Sequence, residues 1–259
     1  MTKLVPNKVR QKLKDGNIVW GTAIYSASPN IVESVGHAGI DFVRLDTEHN
    51  WRQDDSLDNM IRAATISGTV PIVRIDRDNP YLIRKALEVG AGGIIVPHCY
   101  TAAYAREVVD AAKFPPLGSR GFGNLCASGA WGTIPSAEWI DYSNSEPLIG
   151  VMIEHIDAMK EIDEILMVKG IDFVLFGPAD LSISLGLKSP QLDHPQVFDA
   201  LKKTLAAAKA ANKHVMLGVG YDNENIKKYR DMGVTMVEVG HDVHIVPTFI
   251  NNIIKNANN

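Results

Sequence analysis

Short runs of β-branched and other apolar residues alternate with longer amphipathic runs from one end of the chain to the other. That alternation is the sign of repeated βα units and a parallel sheet. The runs at 18–25, 41–48, 70–76, 92–97, 148–154, 172–178, 214–220 and 235–240 read as strands, each followed by a stretch of helical period. Gly90 and Gly233 sit where the end of a helix favours a left-handed residue. GHAGIDFV, EVGAGGIIV and DMGVTMVEV repeat one order: helix end, glycine, buried strand. About eight βα units is the number that closes a barrel, and such barrels typically run to roughly 250 residues. The 259 residues therefore predict an α/β protein, a (β/α)8 TIM barrel in a single domain over 1–259, with no linker along the way. One connection breaks the rhythm. The stretch at about 115–146 is rich in Gly, Pro and Ser and carries two Trp, and it reads as a long loop. Such a loop is either functional or a surface excursion or subunit contact.

Composition narrows the class. At 46% hydrophobic and 22% charged, the chain has the makings of a full core, which excludes disorder, fibres and coiled coil. Its 26 basic and 30 acidic residues leave a net charge of −4 with no long run of one sign, so nothing offers a counter-surface to a nucleic acid. Cys99 and Cys126 form no CxxC pair and no disulfide framework, which fits a reducing compartment. The basic start lacks the apolar core of a signal peptide, and no run approaches the roughly 18 apolar residues of a membrane span. A cytoplasmic protein without membrane contacts is expected.

In a parallel barrel the chemistry gathers at the C-terminal ends of the strands. There the sequence places Asp46-Thr47-Glu48-His49, Arg74 followed by Asp76, Glu154-His155, Asp180 just past the sixth strand at the end of FGPAD, and His241-Asp242. Glu154 and Asp180 close adjacent strands, and two hard carboxylates at one point suit Mg2+ or Mn2+ with room for water and substrate. Alternatively, Asp180 caps the helix begun by LSISLG. His49, beside two acids, is a candidate general base or an idle loop histidine. Arg74, among apolar neighbours, holds either an anion or a structural salt bridge. His241 and His244 read as structural. No predicted strand contains a lysine, which disfavours a Schiff-base mechanism. The hydrolase-elbow, P-loop and Rossmann motifs are absent. GSRGFG, from Gly118 to Gly123, follows a helix rather than a strand and makes a weak phosphate cradle.

Taken in order, LDTEH (45–49), PIVR to Arg74, EVGAGGIIVP (88–97), PPLGSRGFG (115–123), VMIE to Glu154 and GPADLS (177–182) resemble the HpcH/HpaI-type class II pyruvate aldolases. The resemblance spans nearly the whole chain, and PPLGSRGFG and GPADLS are pieces that barrel packing does not require. It implies a (β/α)8 barrel, commonly a hexamer, that cleaves 4-hydroxy-2-oxo acids reversibly to pyruvate and an aldehyde with a divalent metal, Mg2+ or Mn2+ and conceivably Co2+. It further implies that Glu154 and Asp180 ligate the metal and that the Ala179 backbone N–H meets the oxo acid. Arg74 would face the developing oxyanion, with the metal acting on the oxo acid as a Lewis acid. His49 would take the hydroxyl proton, oriented by Glu88 or, as a second candidate, Asp46. Three positions depart from the family pattern. Met152 stands where a glutamine commonly touches the oxo acid, Glu88 replaces an aspartate, and NLCASGAWG lacks the arginines often found after the GFG. Related lyases acting on CoA thioesters, and a barrel that binds oxo acids without catalysis, are the alternative readings.

Overall fold

The computed structural model describes residues 4–49, 55–77, 79 and 81–258. Eight parallel strands close into a barrel in sequence order: β1 Val19–Ile24, β2 Phe42–Asp46, β3 Val70–Arg74, β4 Gly93–Val96, β5 Leu148–Ile153, β6 Phe173–Phe176, β7 His214–Gly218 and β8 Met236–His241. Each lies in a predicted run, except that β8 reaches one residue further, to His241. Val19 pairs with Met236 where the barrel closes. Gly90 and Gly233 both have φ of +111°, as the ends of their helices require.

Side chains alternate between the two faces of each strand. Val43, Leu45, Val73, Ile94, Val151, Val174 and Val237 point outward and form the larger core under the helices. Phe42, Ile72, Ile95, Met152, Phe173, Met216 and Met236 fill the barrel itself. Val9 and Leu13 join this inner cluster, so the helix Lys8–Lys14 plugs the N-terminal end. Arg10 anchors the plug. Its Nη1 and Nη2 each donate to Asp172 at 2.8 Å, Nε donates to the Glu146 carbonyl, and Nη2 also donates to that of Pro147. Asp172 Oδ2 accepts a further bond from the Ile149 N–H at 2.8 Å.

The segment expected to be a loop is partly regular. It contains a 3-10 turn, Ala127–Gly132, and a ten-residue helix, Ser136–Ser145. Trp139 explains the helix, because it is fully buried against Phe114 and Ile134 in a small satellite core. Arg120 is 4% exposed and stacks over Phe114 and Trp139 at 4.6 and 5.6 Å, where burial pushes its pKa down to about 10. The segment follows the helix Ala102–Ala112 and so lies at the end of the barrel closed by Lys8–Lys14. Among the described residues, no helix is long and apolar enough to cross a membrane.

Candidate active site

One step along each strand from the apolar filling, the inward positions become charged. On β2 the inward series runs Phe42, Arg44, Asp46; on β3, Val70, Ile72, Arg74; on β8, Met236, Glu238. Three strands thereby converge on one buried ionic layer. Arg44 donates to both oxygens of Glu238, at 2.6 and 2.9 Å, and to Asp46 at 2.9 Å. Arg74 pairs with Asp46, its neighbour in the strand register, and with Glu48 at 2.8 Å. All but Glu48 are at most 4% exposed. Burial alone would push the Asp46 carboxyl up, but the two guanidiniums outweigh it and hold Asp46 below the usual carboxylate range. Arg74 is incompletely satisfied: its buried Nε has no hydrogen-bond partner among the described residues. An unpaired guanidinium N–H in a low-dielectric site is a costly feature, and one that an incoming oxygen would relieve.

The adjoining strands supply carboxylates. Glu154 follows β5 and is 2% exposed. Its Oε1 accepts the backbone N–H of His98 at 2.7 Å. Burial raises its pKa first; the His98 N–H opposes the shift, and the negative charges of Asp180 and Glu48 add to it. Asp180 lies in the first turn of the helix Pro178–Ser184, exposed, with no hydrogen-bond or ion-pair partner among the described residues. The N-cap of that helix is Gly177, so the capping role considered for Asp180 is not the one it has. Gly177 is also where β6 comes closest to Glu154: a Cβ there would lie 2.7 Å from Glu154 Cβ and 3.1 Å from Oε2. Only glycine leaves that oxygen room. Ala179, at the second position of the same helix, has a backbone N–H that the helix itself does not use.

A cavity of ≈ 240 Å3 opens at this end of the barrel, lined among others by Arg74, Met152, Gly177, Ala179, Asp180 and His241. It thus gathers Arg74, Met152, Ala179 and Asp180 from the predicted set, with Glu154 behind Gly177. No residue of 115–146 lines it. His49, which follows β2 at the same end of the barrel, does not line the cavity. Its N–H donates to Asp46 Oδ1 at 2.9 Å, while its largely exposed ring lies 3.9 Å from Glu48. Glu88 requires a correction. It occupies the last turn of the helix Tyr81–Val89, which runs away from the mouth, and it faces Arg84 and Arg120. Among the described residues, the acids that meet His49 are Asp46 and Glu48.

Three members of the site escaped the sequence reading. Arg44 and Glu238 sit one inward step below the strand ends, where only the alternation Phe42-Arg44-Asp46 and Met236-Glu238 could have exposed them. His98 is the third. Its ring lies between Glu48 Oε1, 3.1 Å from Nε2, and Glu154 Oε1, 3.3 Å from Nδ1, with the Tyr100 hydroxyl also 3.3 Å from Nδ1. Its φ is +55°, a left-handed conformation that costs a non-glycine residue roughly 1–3 kcal/mol.

Two hard carboxylates left unneutralised beside an open mouth are a donor set that a divalent cation fits. Among the described residues no third His, Cys, Asp or Glu completes a cluster, so such a cation would keep coordination positions for water and substrate. A (β/α)8 barrel with this constellation at its C-terminal mouth defines an enzyme of the lyase type rather than a scaffold. The family model described as HpcH/HpaI aldolase/citrate lyase matches residues 21–248, and the chain belongs to that family. Among its relatives, the 4-hydroxy-2-oxo-heptane-1,7-dioate aldolase of Escherichia coli is 32% identical over 93% of this chain and 90% of its own. The hydroxypyruvate/pyruvate aldolase of Pseudomonas aeruginosa is 29% identical over 93% and 88%. The crystal structure of an HpcH/HpaI aldolase from Desulfitobacterium hafniense DCB-2 superposes with a TM-score of 0.89 at 31% identity, covering 96% of this chain and 95% of the other. The chain is accordingly an enzyme, an aldolase.

Proposed function

We propose that the protein is a divalent-metal-dependent pyruvate aldolase that cleaves 4-hydroxy-2-oxo acids to pyruvate and an aldehyde, and also runs the reverse addition. The observation that carries this reading is the nearness of the buried Glu154, its pKa raised by burial, to Asp180, which has no partner among the described residues, across one cavity from an arginine with a free N–H. Glu154 and Asp180 would hold Mg2+ or Mn2+, which when bound supplies Lewis acidity toward the oxo-acid oxygens. The remaining roles belong to the chain. His49 takes the C4 hydroxyl proton, the C3–C4 bond breaks, and its electrons pass to the C2 oxygen. Arg74, fixed between Asp46 and Glu48, offers its free Nε to that developing negative charge. The Ala179 N–H steadies the substrate carboxylate, and protonation at C3 yields pyruvate. Met152 Sδ lies 4.0 Å from Arg74 Nη1 and presents an apolar wall to the oxo acid. The enzyme works as a homo-oligomer, a hexamer by family resemblance. The exposed Val246, Phe249, Ile250, Ile253 and Ile254 along the helix Asp242–Ala257 support self-association, since a patch of that kind is rare on monomers.

The test is pyruvate release from 4-hydroxy-2-oxo acids of graded length by purified protein, with Mn2+ or Mg2+ and with chelator. Cleavage that needs the cation, and that falls by at least about 10³-fold in both Glu154→Gln and Asp180→Asn, is expected. Cation-independent cleavage, or full activity in either variant, would overturn the metal assignment.

A further inference from the structure

His98 has no role in the sequence reading, yet every contact it makes is with a carboxylate or hydroxyl of the site. It stands two residues beyond β4, between the β2 end that carries Glu48 and the β5 end that carries Glu154. Its ring is held from two sides, by Glu48 at Nε2 and by the Tyr100 hydroxyl at Nδ1, and its ring packs edge-on to that of Tyr100 with centroids 6.2 Å apart. Glu48 is itself tied to Arg74. The clamp matters because the backbone it holds is left-handed at the residue whose N–H donates to Glu154 Oε1. Oε1 is thereby occupied. Among the described residues Oε2 accepts no hydrogen bond, and it lies on the Gly177 side, toward the turn that bears Asp180.

We infer that His98 is a positioning residue that fixes Glu154 through its backbone N–H, leaving Oε2 as the single oxygen offered to a cation shared with Asp180. The inference rests on the metal reading above and adds a specific claim: the left-handed backbone at residue 98, rather than the imidazole as such, sets the orientation of the ligand. Partners that orient a ligating group in this way typically change metal affinity 10–100-fold when lost.

The experiment is calorimetric titration of Mn2+ into substrate-free protein, comparing wild type with His98→Asn, His98→Ala, His98→Val and Glu154→Gln. Asparagine accepts a left-handed backbone readily, alanine less so and a β-branched residue least. The expected order of affinity is therefore Asn above Ala above Val, with Asn within about threefold of wild type and Val weaker by about tenfold or more. If His98→Val fails to fold, the Asn and Ala pair still decides the order. Equal affinity across the series would overturn the inference, and so would an Asn variant as weak as Val, which would transfer the role to the ring. Failure of the metal reading looks different, because Glu154→Gln would then bind Mn2+ like wild type.

Discussion

The two ends of the barrel use the same kinds of residue to opposite effect. At the closed end, Arg10 and Asp172 meet through two bonds of 2.8 Å, and their remaining polar atoms find the carbonyls of Glu146 and Pro147 and the N–H of Ile149. Nearby, Lys12 meets Asp41 at 2.6 Å, and Asp41 also accepts the Trp20 N–H. At the open end, among the described residues, the Arg74 Nε is unpaired and Asp180 has no hydrogen-bond or ion-pair partner; burial raises the pKa of Glu154, and His98 is twisted into a left-handed conformation. Ion pairs whose every donor and acceptor is met stabilise the fold. A layer with unmet groups gives up stability and is ready for something to bind. Between these two networks it is completeness of pairing, not the presence of charge, that differs; Arg120, whose buried Nε and Nη2 also lack hydrogen-bond partners among the described residues, is held instead by stacking on Phe114 and Trp139.

That contrast can be broken from either side. The largest expected effect lies at the open end: Arg74→Met should lower kcat/KM for oxo-acid cleavage by about 10²–10³-fold, read by steady-state pyruvate release. A smaller loss would assign Arg74 to structure alone. At the closed end, Asp172→Asn should reduce stability by about 2–3 kcal/mol, on the order of 5 °C or more in Tm, because Arg10 loses its charge partner. Its kcat at 25 °C should stay within about twofold of wild type, which denaturation followed by activity at matched folded fraction would check. The smallest effect belongs to the cavity wall. Met152→Gln restores a hydrogen-bonding side chain beside the oxo acid and should change KM by no more than about tenfold, on the order of 1 kcal/mol.

Much of this was legible in the chain. All eight strands follow from runs such as VPIVR and LIGVMI, since a strand covered on both faces must be apolar almost throughout. The placing of Arg74, Glu154 and Asp180 at the C-terminal ends of the strands was legible, because the polar residues stand where such apolar runs stop. Arg44 and Glu238 hid inside the strands, where a charge breaks the expected pattern and declares its purpose only once its partner across the barrel is known. His98 hid for a different reason: its importance lies in a backbone angle and in neighbours from the ends of two other strands. Within one chain Glu88 lies in the last turn of its helix beside Arg84 and Arg120, a placement hidden because adjacency in a motif says nothing of which end of a helix a residue occupies. The helix within 115–146 went unread because its burial depends on one tryptophan, Trp139, packing on a residue before the segment, Phe114.

The most direct test of the account is the thermal stability of metal-free wild type against Glu154→Gln as pH rises, repeated with Mn2+. A carboxyl whose pKa is raised by folding keeps its proton longer in the folded state than in the unfolded one. Stability from that group is therefore lost as pH climbs from the ordinary glutamate range through the raised value. The glutamine variant, which retains an oxygen for the His98 N–H, escapes that loss. Without metal it should melt with wild type in acid and increasingly above it toward pH 8, and Mn2+ should reverse the order by stabilising wild type alone. A wild type that is the more stable protein at pH 8 without metal, or a variant stabilised equally by Mn2+, would contradict the claim that the open end is an unmet binding site for a cation.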